Sequence, residues 1–372
     1  MGNVLIHDTT MRDGEQMPGV VFSFEEKLLL AEKFIDFGVD IIDIMPTVSK
    51  TEFRLTKKLT GLYPGRVSAS CRLKKEDVDI TIQSSADRIT LFTPLSDIHL
   101  KRKLRISREE NLGRSEEMID YARAHGLEVD FAAEDSTRAD IDYLLSFIKS
   151  VENKVNVFFI ADTLGCLTPK TTFDFVSKIK NNSACNIGLH VHNDFGLATA
   201  NALEGIRAGA DVFSGTFTGI GERAGNTPIE EVCIALKFLQ DMKMNVKYEK
   251  LTEICRLVEE FSGVSLQRHK PIVGANVFSH ESGIHVDGVM KNPETYEYFD
   301  PVFVGQKRRL LIGKHSGKSL LRYVLKGYVQ EDKIGEILER IKSVSEDGIL
   351  TAENEFVTSR NTGHHQKVLG AV

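Results

Sequence analysis

The sequence predicts an α/β protein: a closed (β/α)8 TIM barrel followed by a small, mostly helical C-terminal region. Three observations lead there. Eight short runs rich in β-branched and apolar residues recur between residues 4 and 221, and segments of helical periodicity separate them. Polar residues of unusual type gather just after those runs, which is where a parallel barrel builds its sites. An open doubly wound sheet is the alternative, but it requires a strand-order reversal that a sequence does not display.

The strands follow in order: VLIHDT from Val4, VDIIDIM from Val39, RVSASC from Arg66 and RITLFT from Arg88. Then come EVDFAA from Glu128, NVFFIAD from Asn156, NIGLHVHND from Asn186 and DVFSGTFTGIG from Asp211. The helix SFEEKLLLAEKFIDFG at 23–38 opens with Ser23 and has Glu26 three residues on, the spacing of a capping box. TPKTTFDFVSKIK at 168–180 repeats the helical period, and residues 228–262, with PIEEVCIALKFLQ, read as closing helices. The domains expected are a barrel over 1–265, an arm over 266–315 and a helical subdomain over 316–372. SGKSLLRYVLKGY and EDKIGEILERIKSV supply the helices of that last part. The tail AENEFVTSRNTGHHQ reads as a mobile polar segment, and a weak metal site at His364-His365 is the lesser alternative.

Composition narrows the function. With 372 residues and 41% apolar content the chain can bury a large core. A net charge of −6 gives no reason to expect nucleic acid or a membrane surface as partner. The five cysteines, Cys71, Cys166, Cys185, Cys233 and Cys255, show no paired spacing, which fits reduced thiols and a cytoplasmic location. Cys166 reads as a small buried packing residue.

The strand ends carry the chemistry. Strand 1 ends in Asp8, Arg12, Asp13 and Gln16, strand 3 in Arg72, and strand 4 runs towards His99. Strand 5 ends in Glu134-Asp135, strand 6 in Asp162-Thr163, strand 7 in His190, His192 and Asp194, and strand 8 in GIGERAGN. Side chains alternate along a strand, so His190 and His192 share a face about 7 Å apart. Two such imidazoles can converge on one divalent ion, with Asp13 completing the set. A lone H-x-H more often marks backbone-bonded histidines; Asp13 and the barrel context reverse that preference. GIGERAGN lacks the spacing of a dinucleotide loop, and GKHSGK at 313–318 has Arg308 where a phosphate loop needs glycine. The basic run HLKRKLRISR at 99–108 is either a solvated helix face or a contact for cofactor phosphates. Asp162 reads equally as a local hydrogen-bonding or capping group.

DTTMRDGEQ, HVHNDFG, GTFTGIGERAGNTPIEE and HESGIHVDGVMKNPETYEYFDP together resemble the homocitrate synthase and 2-isopropylmalate synthase group of the DRE-TIM metallolyase superfamily. SDIHLKRKL, NPETYE and LIGKHSGK are most similar to short homocitrate synthases of the nitrogen-fixation type. The C-terminal domain through which long isopropylmalate synthases sense leucine is expected to be missing. The resemblance implies a metal-dependent Claisen condensation of acetyl-CoA with an α-keto acid, followed by hydrolysis that frees CoA. It implies a divalent ion (Mg, Mn or Zn) on Asp13, His190 and His192, with Asn226 as a more distant ligand. Arg12 would face the developing oxyanion, Gln16 would lie beside the metal, and Thr163 would bond the acceptor's carboxylate. Glu134, His285 and Tyr296 would form the acid/base set. His285 and Tyr296 would come from the neighbouring subunit of a domain-swapped homodimer.

Departures from the family concern the acceptor. Lysine-pathway homocitrate synthases carry an arginine four residues before the glutamate that matches Glu134, and Asp130 stands there instead. An ionised Asp130 on the pocket face would repel a dicarboxylate. Arg72 resembles the arginine of the nitrogen-fixation type and would supply the clamp, with His99 among the substrate-binding residues. The strand 2 loop IMPTVSKTE also differs. Homocitrate synthase is the best single name; 2-isopropylmalate, citramalate, (Re)-citrate and phosphonomethylmalate synthases are the alternatives. A lyase like hydroxymethylglutaryl-CoA lyase, or a non-catalytic metabolite-binding barrel, are the readings of another type.

Overall fold

The computed structural model of the chain describes residues 4–346 and 352–355. Eight parallel strands close into a barrel in sequence order: β1 Leu5–Asp8, β2 Ile41–Ile44, β3 Val67–Arg72, β4 Arg88–Pro94, β5 Glu128–Glu134, β6 Val157–Asp162, β7 Asn186–Val191 and β8 Val212–Gly215. Closure is the pairing of β1 with β8, from Leu5 opposite Val212 to Asp8 opposite Gly215. The predicted barrel is therefore the observed one, and the open sheet is excluded. The strands form because their side chains are nearly all buried on both faces, as in β6, where all six residues are buried.

Helices return the chain between strands: α1 Phe24–Phe37, α2 Lys50–Leu62, α3 Lys75–Gln83, a single turn α4 Asp97–His99, α5 Arg108–Ala124, α6 Ile141–Val151, α7 Pro169–Lys180 and α8 Ala198–Arg207. α9 Ile229–Leu239 and α10 Leu251–Ser262 follow the last strand. Ser23 and Glu26 exchange the two hydrogen bonds of the expected capping box at α1. Thr168 caps α7, with Pro169 at its first position where a missing N–H costs nothing. Helices α5, α6 and α7 pack apolar faces on the outside of β3 to β7, with Phe131, Phe147 and Phe158 at the centre of that core.

Inside the barrel the registers set layers. Phe92, Ala132, Phe159 and Gly188 are successive partners across β4, β5, β6 and β7. Nearer the strands' starts, Arg88 donates to both carboxylate oxygens of Asp130 at 2.8 and 2.9 Å, and it also pairs with Glu128. Burial pushes Asp130 up to about 6 against the pull of Arg88. The expectation that Asp130 would face an acceptor and repel it is corrected here. Asp130 is buried, bonded to Arg88 and the Val157 amide, and absent from the wall of the cavity described below.

A second compact unit comprises residues 248–253 and the described residues from 266 onward. It holds a three-stranded sheet, β9 Ser279–His280, β10 Arg309–Ile312 and β11 Ala352–Glu355, with β10 central. Helices α11 Gly283–Lys291, α12 Lys318–Val324 and α13 Ile334–Glu346 accompany it. Val286, Val289, Leu310 and Leu320 form one apolar cluster there; Leu321, Ile334 and Leu338 form another. The unit is thus helical but sheet-bearing, and Ala352–Glu355, expected in a mobile tail, pairs with β10. His364-His365 lies outside the described residues. No described helix is long and apolar enough to cross a membrane.

Lys27 of α1 is the largest charged side chain buried in the barrel unit. Its Nζ donates to Glu15 at 2.6 Å and Glu52 at 2.7 Å, tying the loop after β1 to α1 and α2. Lys27→Met leaves two carboxylates facing each other without their cation, and it should lower unfolding free energy in urea by roughly 3 kcal/mol. Unchanged stability would show that the triad contributes nothing.

Candidate active site

The loops after the strands converge on a cavity of about 280 Å³ at the C-terminal mouth of the barrel. Arg12, Asp13, Gln16, Glu134, Thr163, His190 and His192 line it, so seven of the residues read from the sequence meet in one place. Strand alternation does this work, because Glu134, His190 and His192 all fall on inward positions.

His190 and His192 approach with their Nε2 atoms 3.2 Å apart, and Asp13 Oδ2 lies 3.7 Å from His190 Nε2. One donor atom from each of Asp13, His190 and His192 lies within 4.8 Å of the others. His190 Nδ1 is 3.0 Å from Ser214 Oγ, which fixes the ring and leaves Nε2 facing the group. Burial, then repulsion from His192, pulls His190 down to about 3, with Asp13 opposing; burial lowers His192 as well. Both rings are therefore neutral near neutral pH, the form in which an imidazole nitrogen can bind a metal. Burial alone would raise Asp13, but the Arg12 guanidinium, helped by the Asn226 amide that donates to it, holds the carboxyl below the usual range. Two neutral imidazoles and one carboxylate form a donor set that suits a divalent ion.

Asn226 is fully buried and donates through Nδ2 to Asp13 Oδ1 at 2.8 Å, while its own Oδ1 has no protein partner. A buried amide oxygen left unpaired beside a carboxylate is what a cation or its water would satisfy. The chain approaches closely enough because position 221 is glycine. A Cβ there would meet Asn226 Nδ2 at 2.0 Å and Asp13 Oδ1 at 2.9 Å.

Arg12 is held from two sides. Nε donates to Asp43 at 2.7 Å and Nη1 to Asp13 at 2.9 Å, and Ser70 also donates to Asp43. Thr163 Oγ1 accepts from the Asp135 amide at 2.8 Å, which leaves its proton for a ligand. Glu134 binds Lys103 Nζ at 2.7 and 2.9 Å, and His99 Nδ1 lies 3.2 Å away. The basic run thus meets an acid of the cavity through Lys103.

Other residues fall elsewhere. Arg72 does not reach the cavity: its guanidinium is half-exposed and paired with Asp77 through Nε and Nη2. His99 sits behind Glu134 between that acid and Asp135, outside the wall. His285 and Tyr296 belong to the second unit, stacked with ring centroids 4.0 Å apart. Cys166 is exposed, against expectation, because Asp162 turns the chain there by accepting the Cys166 and Leu167 amides. None of the five cysteines is in a disulfide.

Several wall residues escaped the sequence reading. Asp43 lies in β2 and Met45 just beyond it, Ser214 lies in β8, and Glu222 and Arg223 belong to GIGERAGN, of which only Asn226 was singled out. Arg223 grips Asp194 with Nε and Nη2 and reaches the Thr163 carbonyl, joining three loops. The signal for Asp43 was present, since it is an acid on an apolar strand.

Compared with known families, residues 3–258 match the family described as HMGL-like, and residues 272–348 match the homocitrate synthase post-HMGL domain-like family. A 2-isopropylmalate synthase of Saccharolobus solfataricus is 43% identical over 93% of this chain and 92% of its own length. Homocitrate synthase AksA of Methanocaldococcus jannaschii is 42% identical over 95% of this chain and 89% of its own. Among solved structures, the HMG-CoA lyase of Bacillus subtilis superposes with a TM-score of 0.64 at 20% identity, over 71% of this chain and 95% of that one, a likeness of fold. The chain belongs to the HMGL-like family and is an enzyme of the homocitrate/2-isopropylmalate synthase type.

Proposed function

We propose that this chain catalyses the condensation of acetyl-CoA with an α-keto acid, with hydrolysis of the product thioester to release CoA. The observation that carries the reading is the convergence of Asp13, His190 and His192 beside Arg12 in one cavity. A divalent ion (Mg, Mn or Zn) held by those three ligands would polarise the acceptor's ketone and offset the negative charge formed on attack.

The remaining work falls to the chain. Arg12, immobilised by Asp13 and Asp43, presents a fixed cation to the developing oxyanion, an effect worth about 3 kcal/mol in a dry site. Thr163 offers its hydroxyl proton to the acceptor's carboxylate, and Gln16 orients groups beside the ligands. Glu134 exchanges protons within the cavity, with Lys103 steadying its carboxylate. The resemblance assigns enolate formation to His285 and Tyr296 delivered by a second subunit, and their stacked pair is consistent with a positioned base. We propose a domain-swapped homodimer on that basis.

The acceptor is the open term. SDIHLKRKL, NPETYE and LIGKHSGK favour 2-oxoglutarate and the name homocitrate synthase, and the relatives' names divide between homocitrate and 2-isopropylmalate synthases.

Purified protein with a divalent ion and acetyl-CoA should release free thiol with at least one α-keto acid, and silence with all would contradict the reaction. His192→Ala should lose its bound ion and at least roughly 100-fold in rate, since even residues that only orient ligands matter 10- to 100-fold. Full activity of that variant after chelator treatment would refute the ligand assignment. Inactive Glu134→Ala and His285→Ala proteins, mixed under subunit exchange, should regain roughly a quarter of wild-type activity through hybrid dimers. No recovery despite exchange would refute the swap.

A further inference from the structure

We infer that the acceptor carries a short, uncharged aliphatic side chain, seated on the apolar floor formed by Phe92, Ala132 and Phe159. The inference rests on the condensation reading, and it sets an uncharged acceptor in place of the 2-oxoglutarate that the motif resemblance alone favours.

The floor follows from register. Phe92, Ala132 and Phe159 are neighbours in one row of β4, β5 and β6, and all three line the cavity. Phe159 lies over Gly188, where a Cβ would come within 2.3 Å of its ring, and its centroid is 4.8 Å from that of His7. Val157 and Val212 pack against Phe159 and Ala132 from the same cluster. Ala161 and Met45 continue the apolar wall. The hydroxyls nearby are committed: Ser70 to Asp43, and Thr90 to Ser68.

Charge decides between acceptors. Among the described residues the cavity wall contains two cations, Arg12 and Arg223, against four carboxylates, Asp13, Asp43, Glu134 and Glu222. Its formal charge is therefore −2, which one divalent ion cancels. The acceptor's own α-carboxylate already adds a negative charge to that balance, and a second carboxylate would enter with no surplus cation to meet it. Neither wall arginine is spare, since Arg12 is held by Asp13 and Asp43, and Arg223 by Asp194. Other basic residues near the barrel interior are also engaged and lie off the wall: Arg88 on Asp130 and Glu128, Arg72 on Asp77, Lys103 on Glu134. Burying an unpaired carboxylate on aromatic rings is heavily unfavourable. The modest volume, about 280 Å³, lies just under the usual range of ligand pockets and favours a side chain of one to three carbons.

The test is steady-state thiol release by the metal-loaded full chain at saturating acetyl-CoA. Pyruvate, 2-oxobutanoate and 3-methyl-2-oxobutanoate are compared with oxaloacetate and 2-oxoglutarate. The best uncharged acceptor should exceed either dicarboxylate in kcat/KM by at least roughly 100-fold. A dicarboxylate that equals or surpasses it would overturn the inference while leaving the condensation intact. Absence of release with every acid would sink the reaction and the acceptor together. Ala132→Val narrows the floor and should shift the kcat/KM ratio of 3-methyl-2-oxobutanoate to pyruvate roughly tenfold towards pyruvate. An unchanged ratio in a folded, active variant would show that the side chain sits elsewhere.

Discussion

The carboxylate of Asp13 is the junction on which the site depends. It stands beside His190, accepts from Arg12 and Asn226, and stays ionised in spite of burial because the Arg12 guanidinium stands against it. Removing it would leave Arg12 leaning on Asp43 alone and the Asn226 amide with one partner fewer. In the proposed reaction the candidate ligand Asp13 and the oxyanion-facing Arg12 are therefore not separable. Both lie on the same short loop after β1, which Glu15 and Lys27 anchor to the helices outside. A loop that must hold a buried cation's counter-charge cannot drift, and that rigidity is what preorganised catalysis requires.

The second organising constraint is electrical. A barrel interior that gathers so many acids needs cations, and it supplies them one by one. Arg88 serves the acid below the floor, Arg12 those at the ligand set, and Arg223 the loop acid at the rim. The layer of Phe92, Ala132 and Phe159 lies between the Arg88–Asp130 pair and the Asp13, His190 and His192 group.

Much of this was legible in the sequence. The eight strands, the capped first helix and the histidine pair each rest on local rules: alternation, capping chemistry and strand-end clustering. The roles of Arg72 and Asp130 were not legible, because each depends on a partner that sequence spacing does not reveal. Asp77, one helical turn on from β3, captures Arg72; Arg88, on the neighbouring strand, neutralises Asp130. Cys166 was misread for a related reason, since its exposure follows from a turn built by Asp162. The sheet of the second unit was missed because it joins segments far apart in the chain, Ser279–His280 with Arg309–Ile312 and Ala352–Glu355. Arg223 was passed over inside GIGERAGN because its partners, Asp194 and the Thr163 carbonyl, lie on other loops.

The most direct measurement of the central claim is pulsed electron paramagnetic resonance on the protein loaded with one equivalent of Mn²⁺. Two directly bound imidazole nitrogens, both present in the wild type and one lost in His190→Ala, are the predicted result. A bound ion that shows no nitrogen coupling would mean that it sits on carboxylates elsewhere, and the account of the site would fail.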